Sequence, residues 1–315
     1  MQSVDHPDVD ICDAHHHLWD LDAVRYPWLT APKGSRRFFG DPSRLQQNYL
    51  PSDFCADIDE LPVTQSVHIQ VGAASDQHLA ETAWVQAQID TTQQPRGPVT
   101  VPSAMVAFAD LSAAGLGAQL DQIQSFSGVR GIRQIVGRAP DEDQRTGSGD
   151  LLRDQRWLAG LQALEARALS FDLQLIPSQM VQAFEVFRRV EQLPVVLCHC
   201  GSPWFLNPRY RTSQSFEMWR QGLKKLASLP NMHCKISGLS MFAQTWDHNA
   251  VAMIFETVLD IFGPHRCMFG SNFPVDKLHT DYQSIWQSYW QIASRLSEPK
   301  KAALFAGNCK RFYKL

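Results

Sequence analysis

Short apolar runs that alternate with amphipathic segments are the feature that most constrains the fold of this chain. About eight of these runs are strand candidates, and a helix candidate follows most of them. Strands that alternate with helices predict a parallel sheet, and eight such units predict a (β/α)8 TIM barrel, which is an α/β fold. A doubly wound open sheet is the alternative. No GxGxxG turn follows any strand candidate, so a dinucleotide-binding sheet has no support.

The length of the chain, 315 residues, suits one barrel, and we expect a single domain over residues 1–315. The net charge of -3 gives no electrostatic reason to bind nucleic acid or an anionic membrane surface. No apolar run approaches the length of a membrane span, and residues 1–10 do not resemble a secretion signal. We therefore expect a protein that binds small molecules and neither nucleic acid nor membrane.

The cysteines indicate a reducing compartment. There are seven of them, an odd number, without the spacing of a zinc finger or a redox pair. We expect buried free thiols and a cytoplasmic location. Self-association into a homo-oligomer is left open by the sequence.

Three consecutive histidines close the first apolar run, in the segment ICDAHHHLWD at residues 11–20. Side chains alternate along a strand, so His15 and His17 are predicted to share one face and His16 the other. Two imidazoles on one face can reach the same ion or substrate. The alternative is a polar turn with surplus histidines, because a short motif alone is weak evidence.

Hydrogen-bonding or charged residues end most of the strand candidates, at the place where a barrel carries its active site. The residues at these ends are His15, His17, Gln70, Arg130 or Arg133, Gln174, His199, Lys235, Ser237 and Asn272. Polar residues also occur at strand ends simply because water begins there. That explanation accounts less well for histidine, lysine and arginine at the ends of apolar runs, since burying such groups is costly unless they are paired or used.

His199 lies between Cys198 and Cys200 in the apolar run at residues 195–201. Alternation predicts that the two small thiols pack against outer helices and that the imidazole points into the barrel. With His15 and His17 it would supply three nitrogen ligands, the number that catalytic zinc sites combine with a water. The alternative is a core histidine that is hydrogen-bonded to a backbone carbonyl.

An ordered set of motifs covers most of the chain. It consists of DAHHHLWD at 13–20, VHIQVG at 67–72, GVRGIRQIV at 128–136, LCHCG at 197–201, KISGL at 235–239, FGSNFP at 269–274 and the final GNCKRFYKL. In this order the motifs resemble the amidohydrolase-2 family, in the branch that contains sugar-acid lactonases. The resemblance implies a TIM barrel and, in many members, one divalent metal, with His15 and His17 as the His-x-His pair and His199 as the histidine of strand six.

The chain departs from the family pattern at Asn272, where the family usually has an aspartate that touches the metal and accepts a proton. A neutral carboxamide is a weaker ligand and cannot act as a base. Either the metal, zinc by expectation, is absent or loosely held, or another group accepts the proton. The candidates are Asp276 and a histidine that binds no metal. Asp276 could equally be a surface residue paired with Lys277.

The resemblance predicts a hydrolase that opens a sugar-acid lactone or a similar cyclic ester. Lys235 is a candidate to stabilise the oxyanion, or else forms a salt bridge inside the barrel. The expected substrate-binding residues are Trp19, Tyr26, Trp28, Gln70, Arg130 and Arg133. The three aromatic residues would stack on the ring from the loop at 18–48, although such a loop could merely cap the barrel. The alternatives are a non-oxidative decarboxylase on the same barrel and an inactive barrel that binds a metabolite.

Overall fold

Eight parallel strands form one sheet in the computed structural model, and their order in the sheet follows the chain, β1 to β8. The structure describes residues 9–32, 34–58, 61–92, 100–142 and 148–315. The strands are β1 Ile11–His16, β2 Val63–Ile69, β3 Thr100–Ala107, β4 Val129–Ile132, β5 Ser170–Leu173, β6 Val195–Leu197, β7 Met232–Ile236 and β8 Cys267–Phe269. The predicted domain over 1–315 includes residues 1–8, which lie outside the described ranges.

Backbone contacts join the end of β1 to the segment after β8 and close the sheet. The N–H of His17 donates to the carbonyl of Phe273 at 2.7 Å, and the N–H of Asn272 donates to the carbonyl of His15 at 2.7 Å. The carboxylate of Asp13 also accepts from the N–H of Ser271 at 2.9 Å. The predicted TIM barrel is therefore confirmed, and the open sheet is excluded.

Helices follow the strands and surround the barrel. The helices whose bounds lie wholly within the described residues are α1 Pro51–Asp57, α2 His78–Thr92, α3 Leu116–Gln124, α4 Gln155–Ala166, α5 Met180–Phe187, α6 Ser213–Ala227, α7 Ser240–Ala243, α8 His248–Phe262, α9 Tyr282–Ala293, α10 Glu298–Ala302 and α11 Asn308–Tyr313. Side chains such as Trp157 of α4 and Trp286 of α9 are fully buried between the helices and the sheet. In the described residues, no helix combines the length and apolar character that crossing a membrane requires.

Apolar side chains also fill the inside of the barrel, in a cluster separate from the one between the helices and the sheet. Cys309, Phe312 and Tyr313 of α11 pack there against strand residues such as Cys12 and Val67. The ring of Phe312 also lies 4.9 Å from that of His233, near the start of β7. Helix α11 therefore closes the amino-terminal end of the barrel, which leaves the opposite end for the site.

Candidate functional site

A cavity of about 1000 Å³ opens at the carboxyl ends of the strands. Among the polar side chains that line it, six each follow a different strand: His17, Gln70, Arg133, Gln174, His199 and Asn272. The apolar residues of each strand are buried, and the strand ends shortly before the polar residue. The cavity thus occupies the position where a barrel of this type carries its active site.

Three histidines meet beside this cavity. The ring centroids of His15 and His17 lie 5.1 Å apart, and those of His15 and His199 lie 4.5 Å apart. His16 points to the other side, where its ring stacks on Phe54 at 4.2 Å. The alternation along β1 thus brings the two outer histidines together, as the period of two requires.

Hydrogen bonds hold two of these rings. Nδ1 of His17 lies 2.7 Å from the carbonyl oxygen of Ile69, so this nitrogen carries the proton and Nε2 keeps its lone pair. Nδ1 of His199 lies 2.9 Å from the hydroxyl oxygen of Ser237. Both ring nitrogens of His15 are buried and have no hydrogen-bond partner among the described residues. Anchored rings with one nitrogen left over can act as ligands or as proton acceptors.

The histidines are neutral at physiological pH. Burial, and after it the positive charge of Arg133, lower the pKa of His17 to about 3. The same two causes hold the pKa of His199 well below its usual range. Burial and then the nearby His199 lower the pKa of His15. Neutral imidazoles have lone pairs available for an ion or for a proton from water.

A left-handed turn, rather than strand alternation, aims His199 at the cavity. Strand β6 ends at Leu197, and the φ angles of His199, Cys200 and Ser202 are 54°, 52° and 57°. Non-glycine residues rarely adopt such angles, so three within four positions mark a constrained turn. The expectation that both flanking thiols face the outer helices is wrong for Cys198. Its sulfur lies 3.9 Å from the Asp172 carboxylate inside the barrel.

Glycines allow the backbone to approach the histidines closely. A Cβ at Gly238, whose φ is +64°, would lie 2.4 Å from Nδ1 of His199. A Cβ at Gly270 would lie 2.9 Å from Cβ of His15. Gly238 lies within the motif KISGL two residues after β7 ends, and Gly270 lies within FGSNFP directly after β8. Any side chain there would displace a histidine of the cluster.

Lys235 lies inside the barrel and outside the cavity lining. Its ammonium is 2.7 Å from the carboxylate of Asp172, and both side chains are fully buried. The hydroxyl of Tyr313 donates to the same carboxylate at 2.9 Å. The geometry therefore favours the alternative of an internal salt bridge. Lys235 cannot reach a molecule bound in the cavity, so it does not fit the oxyanion role that was suggested for it. Asp172 was not among the predicted site residues, although the lone acid within the apolar run SFDLQL was a signal for it.

Asn272 and Asp276 form a buried pair. Nδ2 of Asn272 donates to Oδ1 of Asp276 at 2.9 Å, and burial raises the pKa of Asp276 to about 7. The alternative of a surface pair between Asp276 and Lys277 is wrong, because Lys277 binds Asp57 at 2.7 Å. Asp276 stands behind Asn272 and is not among the residues that line the cavity. It can orient the carboxamide, and its role as a base stays a prediction.

The expected substrate-binding residues divide into two groups. Gln70, Arg133 and Trp28 line the cavity, and the Trp28 indole is fixed by a 2.9 Å hydrogen bond to the carbonyl of Val71. Trp19, Tyr26 and Arg130 do not line it. The two aromatic side chains are buried in the packing of the loop after β1, with exposed fractions of 1% and 0%.

Arg130 points away from the cavity because of strand parity. Its guanidinium donates to the carbonyls of Ser127 and Val129 at 2.6 and 3.0 Å, at the start of β4. Arg133, three positions on, is on the inner side and only 6% exposed. Both arginines were predicted as possible substrate ligands, and of the two only Arg133 lines the cavity.

The donor chemistry of the imidazole cluster suits a divalent ion of the zinc type, but the ligand nitrogens of His15, His17 and His199 do not all lie within 4.8 Å of one another, so the rings would have to turn to share one ion. Three neutral nitrogen donors, two of them anchored through the other ring nitrogen, are a usual ligand set for zinc. In the described part of the chain, one His, Asp and Cys set has ligand atoms within 4.8 Å of one another, namely His15, Asp172 and Cys198. The ammonium of Lys235 on Asp172 opposes a cation at that deeper position. The cavity side of the cluster is therefore the better place for an ion.

Comparisons with known proteins agree with this geometry. A family model described as amidohydrolase matches residues 12–315. An uncharacterised protein y4mH of Sinorhizobium fredii is 34% identical over 98% of this chain and 99% of its own length. An L-fucono-1,5-lactonase of Burkholderia multivorans is 29% identical over 96% of this chain and 95% of its own. A crystal structure of an amidohydrolase from Burkholderia multivorans with bound zinc superposes with a TM-score of 0.79 at 25% identity, covering 97% of this chain and 99% of that one.

Proposed function

Because the chain belongs to the amidohydrolase family, we propose that it is a hydrolase that opens a small lactone, a sugar-acid lactone in the first instance. The observation that carries the proposal is the convergence of neutral imidazoles and one buried guanidinium on a single cavity. The similarity to an enzyme named L-fucono-1,5-lactonase, along nearly the whole chain, supports the choice of substrate class.

In the proposed reaction, water attacks the carbonyl carbon of the ring ester. Nε2 of His199 takes a proton from the water, since Nδ1 is engaged with Ser237. A tetrahedral oxyanion forms beside the guanidinium of Arg133, which stabilises its charge. The ring C–O bond then breaks, and the leaving oxygen receives a proton from the imidazolium of His199. The negative charge of the oxyanion favours the protonated imidazole at the moment when it is needed.

Asn272 positions the attacking water in this scheme. Its Nδ2 is held by Asp276 and its carboxamide also hydrogen-bonds the ring of His17, so its orientation at the cavity is fixed. A carboxamide in this place orients water without taking its proton. The base function that the family usually assigns to an aspartate here passes to an imidazole.

His15, His17 and His199 would hold a divalent ion when one is bound, and Nε2 of His199 would then be a ligand in place of its role as base, because this nitrogen has a single lone pair. Such an ion polarises the ester carbonyl and increases the acidity of a water. Zinc suits these nitrogen donors best. Elemental analysis of the purified protein, combined with lactone hydrolysis before and after chelation and metal return, measures this contribution.

The test is acid release from a panel of sugar-acid lactones, followed with a pH indicator. We expect His199→Ala to lower kcat/KM by about 10²-fold or more. His248→Ala, at an exposed histidine at the start of α8, is the matched control and should keep the wild-type rate. Full activity of the His199 variant would remove this residue from the mechanism. Carbon dioxide release would instead identify a decarboxylase, and binding without turnover an inactive barrel.

A further inference from the structure

Positive charge is concentrated in the cavity. Its described lining contains four arginines, Arg36, Arg37, Arg133 and Arg138, and one carboxylate, Glu142. The whole chain, in contrast, carries a net charge of -3. The excess of arginine is thus a property of this cavity and not of the composition. A cavity with such a potential attracts and retains anions.

Arg133 is a buried cation with no described carboxylate in direct contact; Asp172 and Glu81 act on it only from a distance. One Nη donates to the carbonyl of Gln70 at 3.2 Å, and the other donates to the side chain of Gln174. Its Nε is buried without a hydrogen-bond partner, and no described carboxylate lies within 4.0 Å of the guanidinium. Neutral amide oxygens compensate a buried charge only in part. An anion in direct contact with the guanidinium is therefore expected from a ligand.

Arg133 alone does not define the substrate, because every lactone forms an oxyanion and then a carboxylate at the reacting carbon. Arg37 is a second cation, placed on the loop after β1. The backbone of Arg37 is fixed by paired hydrogen bonds with Gly40, at 2.8 and 3.0 Å. Its Nε is likewise buried without a partner among the described residues. One buried guanidinium, of Arg133, and one partly exposed guanidinium, of Arg37, on the same cavity match two anionic groups.

From this arrangement we infer that the substrate is a lactone that carries a second, ionised carboxylate, as in the lactone of a sugar diacid. The inference rests on the proposed function and narrows its substrate class. Arg133 faces the reacting ester, and Arg37 holds the remote carboxylate. A guanidinium fork matches the two oxygens of a carboxylate, which makes arginine suited to this recognition. A neutral lactone with a hydroxymethyl group in place of the carboxylate would leave Arg37 without an anion.

Matched pairs of lactones test the inference. One pair is D-glucono-1,4-lactone and D-glucaro-1,4-lactone, and the other is D-galactono-1,4-lactone and D-galactaro-1,4-lactone. Within each pair, only the substituent at the far end of the chain differs, as hydroxymethyl or carboxylate. We expect the wild-type enzyme to prefer a carboxylated member by about tenfold or more in kcat/KM, as one charge-assisted pair allows.

Arg37→Gln should reduce this preference towards unity, mainly by raising KM for the carboxylated lactone. Arg25→Gln is the matched control, because Arg25 lies on the same loop but is exposed and paired with Asp76. It should keep the wild-type preference. Thermal melts provide a readout without turnover. D-glucarate should stabilise the wild-type protein more than D-gluconate does, and the difference should shrink in Arg37→Gln.

Each outcome decides something definite. Equal or faster hydrolysis of the neutral lactones overturns the inference and leaves the lactonase proposal standing. A preference that survives in Arg37→Gln overturns the assignment of the second carboxylate to Arg37. Absence of hydrolysis for every lactone, together with equal melting shifts for the diacid and the monoacid, overturns both proposals.

Discussion

Replacing Lys235 with methionine tests whether the ion pair inside the barrel is structural. The ammonium lies 2.7 Å from Asp172, and neither side chain is exposed to water. Methionine keeps most of the volume but removes the charge, so Asp172 is left buried with the hydroxyl of Tyr313 as its remaining strong donor. An uncompensated buried charge of this kind costs about 3–5 kcal/mol. We expect a loss of that size in the free energy of unfolding.

Urea unfolding followed by tryptophan fluorescence measures the loss of unfolding free energy. Two further variants test whether the unpaired charge causes it. Adding Asp172→Asn removes the unpaired charge, so the double variant should regain most of the stability and fall short by about 1 kcal/mol. Lys277→Met breaks the ion pair with Asp57. Because the side chain of Lys277 is 45% exposed, this variant should lose less than about 1 kcal/mol of unfolding free energy. A Lys235 variant as stable as the Lys277 variant, or a double variant as unstable as the single one, would refute the reasoning.

Two other substitutions probe the cluster at the cavity. Gly238→Ala places a Cβ 2.4 Å from Nδ1 of His199 and should therefore displace the ring. We expect kcat to fall by about 10²-fold while the circular dichroism spectrum stays native. A normal kcat would contradict the geometry. Asp276 titrates at about 3.8 when unfolded but holds its proton up to about pH 7 in the fold, so its contribution makes the free energy of unfolding fall as pH rises between these values. Asp276→Asn should therefore make the free energy of unfolding less dependent on pH in this range. The test is the urea midpoint measured across pH 4–7. If the midpoints of the variant change with pH as much as those of the wild type, Asp276 does not cause the slope.

Much of the fold was predictable because the barrel depends on simple periodicity. Alternating strand and helix candidates predicted the parallel barrel, and the period of two placed His15 and His17 on one side of β1. The same rule separated Arg130 from Arg133 but did not say which of them faces inward. Burial decided that question, because only the inner arginine can reach the amide oxygen of Gln174.

Most of the remaining errors come from places where the backbone leaves regular structure. The positive φ angles around His199 are not encoded by the period of a strand, so the position of Cys198 was mispredicted. Trp19 and Tyr26 resembled ring-stacking residues, yet an aromatic loop must also bury its own side chains. Asp172 was overlooked because its partner, Lys235, lies on another strand, and sequence order does not reveal that a lone acid has a lysine beside it.

The closure of the barrel by α11 has a consequence for how the protein is made. This helix leaves the ribosome after all eight strands have emerged, and Tyr313 then supplies a donor to Asp172 of β5, a contact that spans 141 positions of the chain. Until that moment, one end of the cylinder is open to solvent and the internal ion pair is incompletely satisfied. We therefore expect chaperones to bind a nascent chain that is stalled before α11 is made.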